Sequence, residues 1–202
     1  MGVVHGHRGG KKCREEFGGM IYLASTSPRR KRLLKEAGIP FKALKPRHEE
    51  KPQPGLSPTA LVKYHAFSKA VSVAPGLKEG TVIGSDTIVY FKNKIIGKPK
   101  NSPHAIKILS QLQGRRHTVY TGVAILQLHA GKIQKRCVFC EKTTVFLKPM
   151  TLTDIKTYFK KINPLDKAGA YAIQSRHNIV QKIQGSFSNA VGLPMETLKK
   201  YL

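Results

Sequence analysis

This chain of 202 residues has no tryptophan, three cysteines and eleven acidic residues, and each shortage narrows what it can be. Cys13, Cys137 and Cys140 cannot make a paired disulfide framework. Cys137 and Cys140 stand three apart in a strand-like segment, where such positions face opposite sides, and no second pair exists to complete a zinc site. No apolar run approaches the ~20 residues that span a bilayer, and residues 1–12 lack the apolar core of a signal peptide. The expectation is a soluble cytoplasmic protein with no membrane partner. No Ser-His-Asp or Cys-His arrangement is legible, so no covalent intermediate is expected.

The scarcity of acids leaves 36 Lys and Arg against 11 Asp and Glu, a formal charge of +25 and a pI near 10.2. Affinity for a polyanion grows with the number of phosphates neutralised, so nucleic-acid binding is one reading of that balance. The basic residues are scattered, however, and there is no zinc-finger spacing, RNP sequence or basic zipper. The seven Tyr and eight Phe fall mostly in apolar strand patterns. Scattered lysines are more often a solvated surface than a recognition face, so a solvated basic surface is the expectation and nucleic acid is not the expected partner.

Residues 1–20, rich in Gly, His and Lys, read as a flexible basic tail in which His5 and His7 could hold a metal. A single domain over 21–202 follows. Helices are expected to start at Ser27-Pro28, Ser57-Pro58 and Ser102-Pro103, with Gly38 and Gly114 stopping the first and third. Residues 81–91 form a β-branched run interrupted by Gly84-Ser85-Asp86, and 118–128 with 132–147 read as a long hairpin turning at Ala130-Gly131. Helices are expected over 153–161 and 198–202. The fold class is α/β, an elongated mixed β-sheet flanked by helices.

The most informative stretch is residues 21–34, where an apolar strand ends in small hydroxyl residues, turns at Pro28 and enters a helix carrying Arg29 and Arg30 in its first turn. Main-chain N–H groups, Ser25, Ser27 and two guanidinium groups can converge there on one anion. Capping by Ser27 explains Ser-Pro, but the macrodipole disfavours two cations at a helix start unless an anion is present. On that reading, removing Arg30 leaves ligand-free stability unchanged or slightly raised.

Asp86 lies in an apolar strand, where an unpaired carboxylate costs several kcal/mol, so it needs a partner or a metal. Glu49 and Glu50 sit in a Pro-flanked loop and read as exposed charge unless the fold brings them beside Asp86. In that case an all-oxygen ligand set with phosphate oxygens suits Mg²⁺ or Mn²⁺. Lys98, just before Pro99, is held in extended backbone and can point at a fixed target.

Taken together, Ser25-x-Ser-Pro-Arg-Arg30, Gly84-Ser-Asp-Thr87, Gly97-Lys-Pro99, Tyr120-Thr-Gly-Val123, Asp166-Lys-Ala-Gly-Ala-Tyr-x-Ile-Gln174 and Ser188-Asn-Ala-Val-Gly-Leu-Pro194 closely resemble the Maf family of nucleoside triphosphate pyrophosphatases. The resemblance implies an inosine triphosphatase-like fold with a cleft between two lobes, commonly a homodimer. It also implies hydrolysis of a nucleoside triphosphate to monophosphate and pyrophosphate with a divalent cation, a house-cleaning activity. Ser25, Ser27, Arg29 and Arg30 match the phosphate-binding loop of the family, and Lys69 and Lys98 its triphosphate-binding lysines. Glu50 and Asp86 match its acidic positions, with Asp86 on the metal or the attacking water and Glu50 on the metal. Gln174 matches a site-lining glutamine, whose bland alternative is a loop cap.

The form of the Asp166–Gln174 motif looks like the branch acting on dTTP, UTP and modified pyrimidine triphosphates. Ser175 and Asn101 depart from the pattern, the first where glycine is usual and the second where an acid often stands. Two rivals are a nucleotide sensor without turnover, linked to septum inhibition, and a basic nucleic-acid-binding protein.

Overall fold

A small polar residue followed within two positions by proline starts three helices in the computed structural model of the chain, which describes residues 17–51, 53–174 and 179–202. His5, His7, Cys13 and Ser175 lie outside the described residues. Strand β1 (Ile21–Ala24) leads into helix α1 (Pro28–Glu36), and β2 (Phe41–Leu44) returns beside β1. Helix α2 (Pro58–Val73) is capped by Ser57, whose hydroxyl accepts from the Ala60 N–H. Strand β3 (Gly80–Phe91) runs unbroken through Gly84-Ser85-Asp86, and the short β4 (Lys94–Ile96) folds back on it.

Helix α3 (Ser102–Leu112) is capped one residue earlier than expected. Asn101 Oδ1 accepts from the His104 N–H, and Ser102 is already helical. Asn and Asp cap a helix about equally well, so the departure at Asn101 is explained by helix initiation. Strands β5 (Arg116–His129) and β6 (Lys132–Leu147) form the expected hairpin. Its turn residues Ala130 and Gly131 both have positive φ, +49° and +75°, the handedness that matches strand twist.

Helix α4 (Leu152–Phe159) starts with a capping box between Thr151 and Asp154, and a 3₁₀ turn covers Ala168–Ala170. Strand β7 (Val180–Gln184), α5 (Phe187–Val191) and α6 (Met195–Leu198) complete the chain. The last helix ends at Leu198, where the sequence suggested that it starts. Pro194 sets its beginning, and Met195 and Leu198 bury one turn apart.

The mixed sheet runs β2-β1-β3-β5-β6-β7, with β4 also on β3; the β1 pairings with β2 and β3 are parallel and the rest antiparallel. Side chains alternate across it. Val82, Ala124 and Leu126 pack on Ala66 and Ala70 of α2, whereas Ile83, Val123 and Ile125 pack on Leu33, Leu34 and Leu198 beneath α1 and α6. Val89, Val119 and Val145 carry that second face on to α3 and α4. Cys137 and Cys140 fall on opposite faces, as their spacing requires. The core also takes in Phe17, upstream of the expected boundary: it is buried, and its N–H donates to the Tyr201 carbonyl at 2.8 Å.

Two glycines let α2 lie almost against the sheet. A Cβ on Gly84 would stand 2.1 Å from the Ala66 carbonyl oxygen, and one on Gly122 would stand 2.2 Å from that of Val62. Pairing of β1 with β3 stops at Ala24 opposite Gly84, and β4 takes up the same edge only at Val89. Residues 85–88 therefore face a break in the sheet edge, at the carboxyl end of β1.

Candidate active site

A cleft of about 450 Å³ opens at that break, within the size range of small-molecule sites. All nine residues singled out from the sequence line it: Ser25, Ser27, Arg29, Arg30, Glu50, Lys69, Asp86, Lys98 and Gln174. They come from six separate stretches of chain.

The loop after β1 supplies the first wall. Ser27 occupies the N-cap position of α1 but its side chain makes no capping bond. The buried Ser25 hydroxyl organises the loop instead, accepting from the Ser27 N–H at 3.2 Å and from Arg30 Nη1 at 3.3 Å. Arg30 Nε donates to the Gly192 carbonyl at 2.8 Å and Nη2 to Thr87 Oγ1 at 3.1 Å. A guanidinium has five N–H donors, so three are spent on aiming it and two remain. Burial pushes the Arg30 pKa down, an effect opposed by Asp86 and Glu50 and reinforced by Arg29.

Arg29 turns to a different partner. Its Nη1 lies 3.1 Å from Asp166 Oδ2 and its Nη2 donates to the Asp166 carbonyl. Lys167 holds the other oxygen of that carboxylate at 2.5 Å. Part of the anion that the two arginines call for is thus a carboxylate of the protein itself.

Helix α2 and strand β3 supply the centre. Lys69 lies on the buried face of α2, about one turn after Ala66 and directly before Ala70, the two residues that meet the sheet at Gly84, and Asp86 points from β3 toward the same side. Lys69 Nζ is 2.6 Å from Asp86 Oδ1 and 2.6 Å from Glu50 Oε1, with Lys98 Nζ at 3.6 Å from the other Glu50 oxygen. Burial raises the Glu50 pKa, but the charge and hydrogen bond of Lys69, then Lys98 and Arg30, outweigh it and bring the carboxyl down to about 2.

His48, Thr87, Asp166 and Lys167 also line the cleft and were not singled out. His48 Nε2 sits 2.8 Å from His65 Nδ1 on α2; burial first, then His65 and Lys69, lower its pKa. Thr87 follows Asp86 directly, and Asp166-Lys167 open the motif that ends in Gln174, so motif context was the available signal for both. His48 lies two residues from Glu50 and had none.

For a divalent cation the chain offers a pair of carboxylates, Glu50 and Asp86, with Lys69 between them. Among the described residues no cluster of three or more His, Cys, Asp or Glu side chains forms. That donor set fits Mg²⁺ or Mn²⁺ held by one or two carboxylates and completed by phosphate oxygens and water, and does not fit an all-protein cage. No helix among the described residues is long and apolar enough to cross a membrane.

Residues 20–202 match the family described as Maf-like protein. A dTTP/UTP pyrophosphatase of Pelotomaculum thermopropionicum is 42% identical over 183 residues, covering 90% of this chain and 94% of the relative. The dTTP/UTP pyrophosphatase of Methanosarcina barkeri is 42% identical over 184 residues, covering 90% and 92%. That of Bacillus cereus strain G9842 is 43% identical over 183, covering 90% and 93%. Among solved structures, a nucleoside-triphosphatase / dITP/XTP pyrophosphatase from Mycobacterium abscessus aligns with 65% of this chain and 76% of its own, at 14% identity and a TM-score of 0.38. With its motifs in order along the chain and a family match from Met20 to the last residue, this chain belongs to the Maf-like protein family.

Proposed function

We propose that this chain hydrolyses nucleoside triphosphates, dTTP, UTP and modified pyrimidine nucleotides foremost, to the monophosphate and pyrophosphate, clearing unwanted nucleotides from the pool. The observation that carries the reading is the convergence of Arg30, Lys69, Lys98, Glu50 and Asp86 on one cleft of nucleotide size. The curated relatives named for dTTP and UTP supply the base preference.

Arg30, pre-aimed by Gly192, Ser25 and Thr87, binds a phosphate with its two remaining donors, and Ser27 adds a hydroxyl. Lys69 and Lys98 neutralise the nonbridging oxygens. Asp86 takes a proton from the attacking water as that oxygen bonds to the α-phosphorus; the bond to the bridging oxygen breaks, and pyrophosphate leaves with the electron pair. Glu50 and Asp86 would hold Mg²⁺ or Mn²⁺, which supplies charge neutralisation on the phosphates and a more acidic water. The Gln174 amide offers a donor and an acceptor to a uracil-type edge. The family resemblance adds a homodimer working in the cytoplasm, to be checked by light scattering and fractionation.

The test is turnover of canonical and modified nucleoside triphosphates with Mg²⁺ or Mn²⁺, read as pyrophosphate release. dTTP and UTP should lead ATP, CTP and GTP, and Gln174→Ala should narrow the gap while sparing metal dependence. Asp86→Asn should fold and lose at least ~10²-fold in kcat. Near-normal turnover in folded Asp86→Asn sinks the catalytic assignment, and equal rates on all bases sink the selectivity alone.

A further inference from the structure

Strands β3, β5 and β6 bury one face and leave much of the other open beyond the start of α2. Val89, Val119 and Val145 point into the core. Their neighbours Tyr90, Tyr120 and Phe146 point the opposite way and are only partly buried. Helix α2 reaches as far as Ile88 and Tyr120, where Leu61 and Val62 pack. The next two rows across the sheet, Tyr90–Thr118–Thr144–Gln184 and Arg116–Phe146–Lys182, contain no fully buried side chain.

Rings and cations alternate on this face. Tyr120 is paired in register with Lys142, whose Nζ lies 5.3 Å from the ring centroid. Phe146 stands between Arg116 and Lys182, with Lys182 Nζ 6.0 Å from its centroid. Tyr90 meets Tyr120 edge to face at 5.8 Å. Arg116, Lys142 and Lys182 are exposed, and none of the positions in these rows is acidic. A merely solvated face needs the cations but not three partly exposed rings in their midst.

We propose that this sheet face binds single-stranded nucleic acid. Aromatic side chains on a flat sheet offer stacking platforms to unpaired bases of any sequence, and cations beside them meet the phosphates. Three rings suit about two or three bases, the number a comparable sheet platform stacks. The formal charge of +25 on the chain supplies the long-range attraction. Duplex hides its bases from such rings, so it gains only the electrostatic part. The binding is separate from the cleft, since none of the three rings or three cations lines it, and it stands whether or not the catalytic reading does.

The test is fluorescence anisotropy of the intact chain with labelled oligothymidylate, oligouridylate and a duplex of equal length, with dTMP present to fill the cleft and EDTA to stop turnover. Single strands should bind more tightly than duplex; comparing the thymidylate and uridylate probes separates DNA from RNA. Tyr90→Leu with Phe146→Leu should weaken single-strand binding at least about fivefold and leave the salt dependence unchanged. Lys142→Gln with Lys182→Gln should lower the log–log salt slope by about 0.7 per cation. Both double variants should keep the circular-dichroism spectrum and melting temperature of the wild type, which certifies their fold; if the ring variant fails to fold, the charge variant decides. Duplex binding as tight as single strand, no single-strand binding at low salt, or variants that bind like wild type would each overturn the proposal. So would light scattering showing a dimer that the ring substitutions split, since the face would then be covered by a second copy.

Discussion

Lys69 Nζ lies 2.6 Å from Asp86 Oδ1, and both side chains are almost sealed from water, at 7% and 6% exposure. Its second partner, Glu50, is 45% exposed, so the energetic weight of the arrangement rests on the Lys69–Asp86 pair. Breaking a buried pair from one side strands a charge, whereas replacing both partners with apolar groups is often neutral. This separates the structural role of the pair from its chemistry.

Lys69→Met should therefore destabilise the protein by about 3 kcal/mol at neutral pH, because Asp86 is left buried and unpaired. Lys69→Met with Asp86→Leu should regain most of that loss in urea unfolding. Neither variant should turn over nucleotide. A double variant no more stable than the single one would show that the pair matters for packing and not for charge.

Arg30 reverses an expectation. By sequence it is a cation opposing a helix dipole, and its removal should cost nothing. In the structure three of its donors tie together Ser25, Thr87 and Gly192, the last 162 residues away from Arg30. Arg30→Ala should cost about 2 kcal/mol of ligand-free stability. Arg30→Lys keeps the charge but cannot make the three-way fork, and kcat/KM should fall at least about tenfold. Unaltered unfolding of Arg30→Ala would restore the sequence reading.

What was legible in the sequence was what local chemistry dictates. Proline-initiated helices, the β-branched run through Asp86 and the 132–147 strand emerge because each is written in neighbouring residues. The nine cleft residues were legible as a set through the family that the motifs resemble, Glu50 and Lys69 among them although they lie in none of the quoted motifs. Long-range partners were not legible: Asp166 lies 137 residues from Arg29, and nothing near either announces the pair. His48 was equally silent, since its partner His65 faces it from α2 only once α2 is seated on the sheet.

That seating depends on Gly84. Alanine there would put a Cβ 2.1 Å from the Ala66 carbonyl oxygen and 2.8 Å from the Ala70 amide nitrogen, both backbone atoms that cannot rotate away. Helix α2 must then lift, carrying Lys69 from Asp86. Gly84→Ala should cost about 3 kcal/mol by overpacking and reduce turnover as well. Val82→Ala, two residues earlier on the same face, leaves a cavity instead; it should lower stability while retaining most of the activity. Wild-type kinetics in Gly84→Ala would mean that α2 does not position Lys69.

His117 sets an acid limit on the fold. It is buried at 3% exposure, its Nε2 lies 2.7 Å from the Tyr171 hydroxyl, and burial lowers its pKa to about 4 from the usual 6.5. The unfolded chain therefore binds a proton between those values that the folded chain refuses. By linkage, stability rises with pH through that window: it is untouched above about 6.5, falls by about 1.4 kcal/mol per unit as pH drops below it, and levels off below about 4. Between pH 6.5 and pH 5 the loss from this group should be about 2 kcal/mol. His117→Gln keeps a hydrogen-bonding partner for Tyr171 and cannot titrate, so its urea-unfolding free energy should fall about 2 kcal/mol less than that of the wild type over the same interval. Identical pH dependence in the two proteins would show that His117 is not the group being protonated. Because Tyr171 lines the cleft, a His117→Gln protein with wild-type KM would in addition show that the pair supports that wall without reading the substrate.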